Sequence, residues 1–481
     1  MSKITRRNFL KSSLAAGVTM TLLSPYSRVR GANDDIRLAI VGVGGQGSSH
    51  IDYFRKLAGV RVVALCDADK DHLDKRVEDF KKRNETVEGY IDVRKLLENK
   101  NIDAITTATP NFWHALVTIW ACQAGKDVYV EKPVSHNIWE GRKIVEAARK
   151  YKRIVQTGTQ RRSSEAYQQA YEFIKAGNIG AIRWVRGFCY KPRGSIGKVN
   201  GPQPIPASVN YDLWCGPADM LPLMRKNLHY DWHWVWNTGN GDIGNQGIHE
   251  MDLARWALGD PKLAPAVMSI GGRFGYDDDA ETANTQIVFL DYKPAPLIFE
   301  VRGLPRKAGD TAMDNYRGTQ IGVVVQCENG YFAAGEGGGW AYDKDGKRIK
   351  QFTGSGGAHH ENFIKAVRSR KVSDLNADIE KGHLSSALCH MGNISYRLGQ
   401  KKSVEEIKAM IKDNAELTDS FERFLTHLAA NNVDVAQTPA TIGPMLTMDT
   451  EKEKFVGELS DMANMLVKRN YREPYIIPDS V

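Results

Sequence analysis

Short apolar runs recur through the first third of the chain, each bounded by a turn and separated from the next by residues of helical spacing. Ile36 to Val41 opens into a glycine-rich segment, Val60 to Cys66 ends at Asp67, and Ile102 to Thr107, Asp127 to Val130 and Ile154 to Thr157 follow. Unbroken apolar runs suit strands buried on both faces, so their alternation with helical stretches predicts a doubly wound parallel sheet. The helix after Lys132 carries its own start signal. Asn137 and Glu140 form an Asn-x-x-Glu capping box, and Ile138, Ile144, Val145 and Ala148 repeat at helical spacing behind it.

From about Gly158 the texture changes to longer β-type runs, Ile182 to Tyr190, Ala266 to Ile270, Thr285 to Asp291, Leu297 to Val301 and Ile321 to Gln326, joined by Gly- and Pro-rich loops. These predict a second α/β domain on an open, mostly antiparallel sheet. Helical periodicity returns at Glu361 to Arg370 and at Ile379 to Leu398, where Gly399 is a C-cap. The division that follows is a signal over 1–32, a nucleotide-binding Rossmann domain over 33–157, a substrate and oligomerisation domain over 158–400, and a helical extension with a Pro-bearing tail over 401–481.

Composition changes this picture little, and charge excludes one class of partner. The 481 residues, 42% hydrophobic and 25% charged, are enough for two domains with a sizeable core. The net charge of +8 is partly N-terminal, and elsewhere Lys and Arg are interspersed with acids, so nucleic acid is not expected as a partner. Six widely spaced cysteines without a Cys-x-x-Cys are expected to pack, not to bind metal. The N-terminus reads Thr5-Arg6-Arg7-Asn8-Phe9-Leu10-Lys11 followed by the mildly apolar Ser12 to Leu23, the order of a twin-arginine export signal, too short and polar to span a membrane. It predicts a periplasmic protein exported already folded. Ala32 could be the last residue removed, whereas Arg30 breaks the small-residue rule and leaves an uncleaved membrane tether as the alternative.

Candidate chemistry begins at Gly42-Val43-Gly44-Gly45-Gln46-Gly47. Gly42, Gly44 and Gly47 permit a tight turn, close approach of backbone N–H groups to a pyrophosphate and close packing of the following helix, with Gly45 and Gln46 between them. Asp67, twenty residues beyond Gly47, is placed to accept from ribose hydroxyls. With Asp69 beside it and no Arg in that turn, a 2′-phosphate would be repelled, so NAD is expected and NADP is not. Glu131-Lys132-Pro133 ends a predicted strand, where ligands of open α/β sheets bind, and Pro133 holds Lys132 extended. A nearby positively charged nicotinamide lowers an ammonium pKa and suits Lys132 to exchange a proton with a hydroxyl.

These motifs, with Thr109-Pro110-Asn111 and His114, make the chain over Ile36 to Gly399 resemble the glucose-fructose oxidoreductase, inositol dehydrogenase and rhizopine-catabolism family. The resemblance implies a Rossmann domain plus an α/β domain whose open sheet forms a homo-oligomer contact. It implies cofactor contacts at Glu131, Lys132, Thr109, Asn111 and His114, and a substrate site to which we assign Arg161, Tyr190, His233, Trp236 and Asn245. A later helix of the family carries an Asp-x-x-x-His pair whose histidine is the acid/base, a role that falls on His249. Asn245 stands where the acid is expected, and an amide cannot accept a proton at neutral pH, so proton transfer falls on His249 or Lys132.

Asn245, His249, Asp252 and Trp256 follow at helical steps and are expected on one face. Tyr230 to Asn237, if extended, would present four rings on one face, to a sugar or to the core. His229, His233 and His249 could suggest a metal, but a Trp-rich extended segment is poor helix and a nicotinamide enzyme needs no metal here, so none is expected.

Export adds a condition. At a Kd of about 1 nM and an on-rate of about 10⁶ M⁻¹s⁻¹ the half-time for NAD loss is about ten minutes, so retention must be tighter. A retained cofactor must be restored at each turnover. Either a glycoside dehydrogenase, acting for example at the 3-hydroxyl, passes electrons to a keto-sugar or other acceptor, or a redox-neutral glycosidase or lyase oxidises transiently and returns the hydride. A sugar-binding protein with a vestigial site is the third class.

Overall fold

The computed structural model describes residues 35–481, so the twin-arginine motif and the cleavage question lie outside the described residues. The first domain runs β1 (Ile36–Val41), α1 (Gly45–Phe54), β2 (Val60–Cys66), α2 (Lys70–Lys81), β3 (Glu88–Tyr90), α3 (Val93–Glu98), β4 (Ala104–Thr107), α4 (Asn111–Gln123), β5 (Asp127–Val130), α5 (Ile138–Lys150) and β6 (Val155–Thr157). All pairings in this sheet are parallel, in the order β3-β2-β1-β4-β5-β6. The order reverses between β1 and β4, and ligands of such sheets lie beyond the strand ends at that switch. Every residue of β4 and β5 is buried, Thr106, Thr107 and Asp127 included, as suits inner strands of a sheet covered on both faces.

The capping box before α5 forms in a shifted version. Asn137 accepts from Glu140 N (2.9 Å), but Glu140 Oε2 reaches back to His136 N (2.8 Å), one residue earlier than the motif predicts. Glu140 is wholly buried, and its other oxygen takes up the Asn137 amide and the Tyr471 hydroxyl.

The second domain begins with α6 (Glu165–Lys175) and β7 (Ile182–Tyr190). A long, largely irregular stretch holding only α7 (Tyr211–Cys215) and a 3₁₀ turn leads to α8 (Gly241–Asn245) and α9 (Gly247–Ala257). Strands β8 (Ala266–Gly272), β9 (Thr285–Leu290), β10 (Leu297–Arg302), β11 (Ile321–Cys327), β12 (Gly330–Gly335), β13 (Gly338–Asp343) and β14 (Arg348–Phe352) follow, then α10 (His359–Ser369) and α11 (Ile379–Arg397). In this sheet β7 and β10 pair in parallel and the remaining neighbours are antiparallel, so the predicted fold class is the observed one. One face packs on α9 and α11. At Gly187 a Cβ would come within 2.7 Å of the Phe299 ring, so β7 can lie this close to its neighbours only without a side chain there.

The other face is not open. Beyond β15 (Gln400–Lys401), α12 (Val404–Ile411) and α13 (Ala415–Ala430) lie across it. Leu417, Phe421, Phe424 and Leu428 form the buried stripe of α13 and cluster with Trp184, Phe188, Ile270 and Ile298. The open face expected to form the homo-oligomer contact is covered, over these strands, by the chain's own helices, because an apolar sheet face must be covered. The region read as a helical extension also supplies strands. β16 (Thr441–Ile442) and β17 (Leu446–Asp449) extend the sheet along β8, and β18 (Lys454–Val456) pairs with β17. After α14 (Ser460–Met465) the tail returns to the first domain, where Tyr475, Ile477 and Val481 pack in the cluster around α4.

Candidate active site

A cavity of about 370 Å³ lies at the switch between β1 and β4. Gly42, Gly44 and Gly45 form one wall, Asp67 and Ala108 to Asn111 another, and Glu131 to Pro133 the inner end. The glycines fit a pyrophosphate. At Gly42, where φ is +79°, a Cβ would meet Thr109 N at 2.7 Å; at Gly47 it would meet Gly42 O at 1.7 Å; at Gly45 nothing lies within 4 Å. Two glycines therefore close the turn and a third leaves the approach free, with the N-terminus of α1 pointing in. Asp67 accepts from Val43 N (2.8 Å) and Asp69 N (3.0 Å), which fixes its carboxylate at the ribose end and leaves lone pairs for ligand hydroxyls. Burial raises its pKa, and the two backbone donors oppose the shift.

The inner end rests on a buried network that sequence reasoning missed. His50 Nε2 donates to Glu131 Oε1 (2.9 Å), as does Gln46 Nε2 (3.0 Å), and the other His50 nitrogen meets the Thr106 hydroxyl. Burial would raise the Glu131 pKa, but His50 and Lys132 hold it well below the usual carboxylate range. Glu131 thus anchors the strand end from behind the phosphate loop. The signal in the sequence was a histidine on α1, one turn after Gln46, on the side of the helix that must face the sheet.

Lys132 Nζ donates to the Asn245 carbonyl (3.0 Å), and burial lowers its pKa. His249 feels burial first and then the charges of Lys132 and Arg161, which place its imidazole well below the ordinary range; its Nδ1 is buried and unpartnered. A neutral imidazole can take a proton, and an ammonium lowered in pKa gives its own up more readily, leaving an amine that can accept one. Asn245 and His233 line the same cavity. His233 stacks on Trp232 at 3.6 Å, and burial pushes its pKa down to about 3. Arg161 pairs with Glu250 (2.6 Å), whose burial raises its pKa to about 7 despite that partner.

The other expected residues divide between the cavity and places away from it. Asn111 and Thr109 line the cavity, and Asn111 donates to Asn240 Oδ1 (2.6 Å). His114 sets its two nitrogens on Pro133 O (2.6 Å) and Thr109 O (2.8 Å), joining the two turns from behind. Tyr190 is corrected: residues of a strand alternate in direction, and its ring lies on the face under α13, with its hydroxyl donating to Glu300 (2.5 Å). Trp236 is also corrected, because it lines a neighbouring polar recess with Arg397 over its ring.

The helical face expected over Asn245 to Trp256 does not survive, since α8 and α9 are separate at Gln246. Asp252 turns instead to Arg162 (2.8 Å), and Trp256 packs edge-on against Tyr171. The aromatic segment is not extended either. Asp231–Trp234 is a 3₁₀ turn, so its rings split: Tyr230 and Trp232 line the cavity and Trp234 is buried. His229, His233 and His249 do not converge. Among the described residues, the group close enough to share an ion is Asp69, His72 and His229.

The stretch between β7 and α8 acts as a cover. Leu213, Trp214, His229, Tyr230 and Trp232 from it line the cavity opposite the glycine loop. Trp113 Nε1 donates to Leu213 O and Trp214 O, tying the cover to α4, and at Gly216, with φ +47°, a Cβ would meet the Trp113 ring at 2.2 Å.

Comparison with known proteins agrees with this geometry. Residues 36–159 match the Gfo/Idh/MocA model described as oxidoreductase family, NAD-binding Rossmann fold, and residues 179–299 match that family's C-terminal alpha/beta domain, together just over half of the chain. A glycosyl hydrolase family 109 protein of Shewanella baltica (strain OS185) is 31% identical over 172 residues, 31% of this chain and 38% of that protein's length. The myo-inositol 2-dehydrogenase of Thermotoga maritima is 23% identical over 265 residues, covering 54% of this chain and 66% of that protein. The WlbA dehydrogenase of Bordetella pertussis, solved with NADH and UDP-GlcNAcA, superposes with a TM-score of 0.57 at 19% identity, over 76% of this chain and 97% of that one. This chain therefore belongs to the Gfo/Idh/MocA oxidoreductase family, with an NAD-binding Rossmann domain followed by the family's α/β domain.

Proposed function

We propose that the protein is an exported oxidoreductase that keeps its NAD bound and oxidises a ring hydroxyl of a sugar or glycoside. The observation that carries this reading is a covered nucleotide cavity lined by Lys132 and Asn245, with the buried His249 four residues beyond Asn245 and close enough to Lys132 to feel its charge, both Lys132 and His249 being depressed in pKa by burial. NAD supplies the hydride acceptor when bound. The hydroxyl proton passes to Lys132 or His249, while Asn245 and His233 orient the ring. The cover explains how an exported protein would hold a nucleotide where none is free. The inositol and nucleotide-sugar names of the relatives support a polyol or sugar as substrate.

A redox-neutral glycosidase that oxidises, eliminates the aglycone and returns the hydride is the second reading. It is supported by the family 109 name of the Shewanella relative and by the neutral Asn245 in place of an acid. A fixed negative charge there would disfavour an enolate beside a ketone. Two measurements test these readings. Denatured purified protein should release close to one NAD(H) per chain without supplementation, and far less would remove the retained cofactor. A panel of aryl glycosides should then change the nicotinamide absorbance without aglycone release. Stoichiometric aglycone with no added acceptor and no net NADH would select the second reading.

A further inference from the structure

We propose that Asp69, His72 and His229 hold a zinc-type divalent cation that clips the cover onto the Rossmann domain. Asp69 is the N-cap of α2 and uses Oδ1 to accept from Asp71 N (3.0 Å), which leaves Oδ2 to other partners. His72 lies in the first turn of the same helix, so the spacing brings it beside the cap. His229 comes from the cover. Its Nε2 is 2.9 Å from Asp69 Oδ2, His72 Nε2 is 3.9 Å from the same oxygen, and the three ligand atoms all lie within 4.8 Å of one another.

Zinc bonds of about 2.0–2.1 Å in tetrahedral geometry place neighbouring ligand atoms about 3.4 Å apart, between the two distances to Oδ2. Occupation therefore needs only small side-chain movements. Two imidazoles and one carboxylate favour zinc over calcium or magnesium, which take mainly oxygen ligands, and three protein ligands leave the fourth position to water. The backbone around the site is already joined: Lys70 N donates to Ser208 O (2.8 Å) and Asn210 N to Ala68 O (2.9 Å), pinning the cover beside the cap. The carboxylate is buried, while the histidine side chains are 37% and 34% exposed, so the ion can enter from solvent.

Both histidines line the nucleotide cavity, and His229 is carried on the covering segment, whose opening would widen the exit. A bound cation would slow that opening. The clip does not require the sugar chemistry proposed above, and its primary readout is independent of turnover.

The test uses the full chain with its nucleotide. After chelation and dialysis, zinc titrated by calorimetry and counted by elemental analysis should reach one ion per chain, with magnesium and calcium giving no saturable binding. His72→Ala and His229→Ala should each weaken zinc by about a hundredfold or more. Thermal melts confirm folding, and His72→Asn and His229→Gln replace either alanine variant that does not fold. Zinc should also slow NAD(H) release several-fold in wild type and not in the variants. Substoichiometric zinc, or zinc bound equally by wild type and variants, would overturn the site and reduce the cluster to an Asp69–His229 hydrogen bond. Zinc binding that leaves the release rate unchanged would overturn the clip.

Discussion

At the scale of single residues, the site contrasts two uses of burial. At Lys132 burial outweighs the attraction of Glu131 beside it, and at His249 burial and the charges of Lys132 and Arg161 act together, whereas at Glu131 the pull of His50 and Lys132 outweighs burial. The first condition creates proton acceptors and the second a rigid anchor. Lys132→Met should therefore cost about 10²-fold or more in turnover with the fold intact, and His249→Ala a similar factor, measured as kcat on the true substrate. Near-wild-type turnover in either variant would return that residue to the scaffold. Asn245→Asp separates the two readings of function. A dehydrogenase should keep or gain hydride transfer, while an eliminating enzyme should lose aglycone release and spare the initial reduction of NAD. Tyr190→Phe should leave KM unchanged and lower stability by about 1–2 kcal/mol, because it removes a buried hydrogen bond to Glu300 far from the cavity. A raised KM with unaltered unfolding would place Tyr190 back at the substrate.

At the scale of elements, the C-terminal region braces the helices of both domains. Glu453, just before β18, accepts from His383 Nε2 on α11 (2.8 Å) and from Arg142 Nε on α5 (3.2 Å). Burial pushes its pKa up, but His383 and Arg142 outweigh burial and hold it at about 2. A depressed carboxylate stabilises the fold above its unfolded pKa, and that contribution is lost as pH falls through the folded value. Glu453→Gln should thus cost about 3 kcal/mol near pH 7, and the penalty should fade between about pH 4.5 and pH 2, read from urea unfolding at a series of pH values. A pH-independent penalty would assign the loss to packing. The stripe Leu417, Phe421, Phe424 and Leu428 has helical spacing, but periodicity gives a helix a buried face without naming what it is buried against.

At the scale of the whole molecule, the chain wraps both of its sheets with its own later residues: α12 and α13 over the second sheet, the tail against α4. A chain ended at Lys402 would bare Trp184, Phe188 and Ile270. It should aggregate or fail to unfold cooperatively, as size-exclusion chromatography and thermal melts would register. A soluble, cooperative product would make the extension an appendage. The sequence by itself determined the Rossmann sheet, the glycine loop with Asp67, and Lys132 at a strand end, because each depends on contacts within a few tens of residues and on backbone needs that only particular residues meet. Only the tertiary structure decided that Tyr190 faces away, that α8 and α9 part at Gln246, and that His50 braces Glu131. It alone brought His229 to Asp69, 160 residues away. These outcomes turn on which face of an element is covered and by what, and that is settled by burial summed over the whole chain, which no local pattern records.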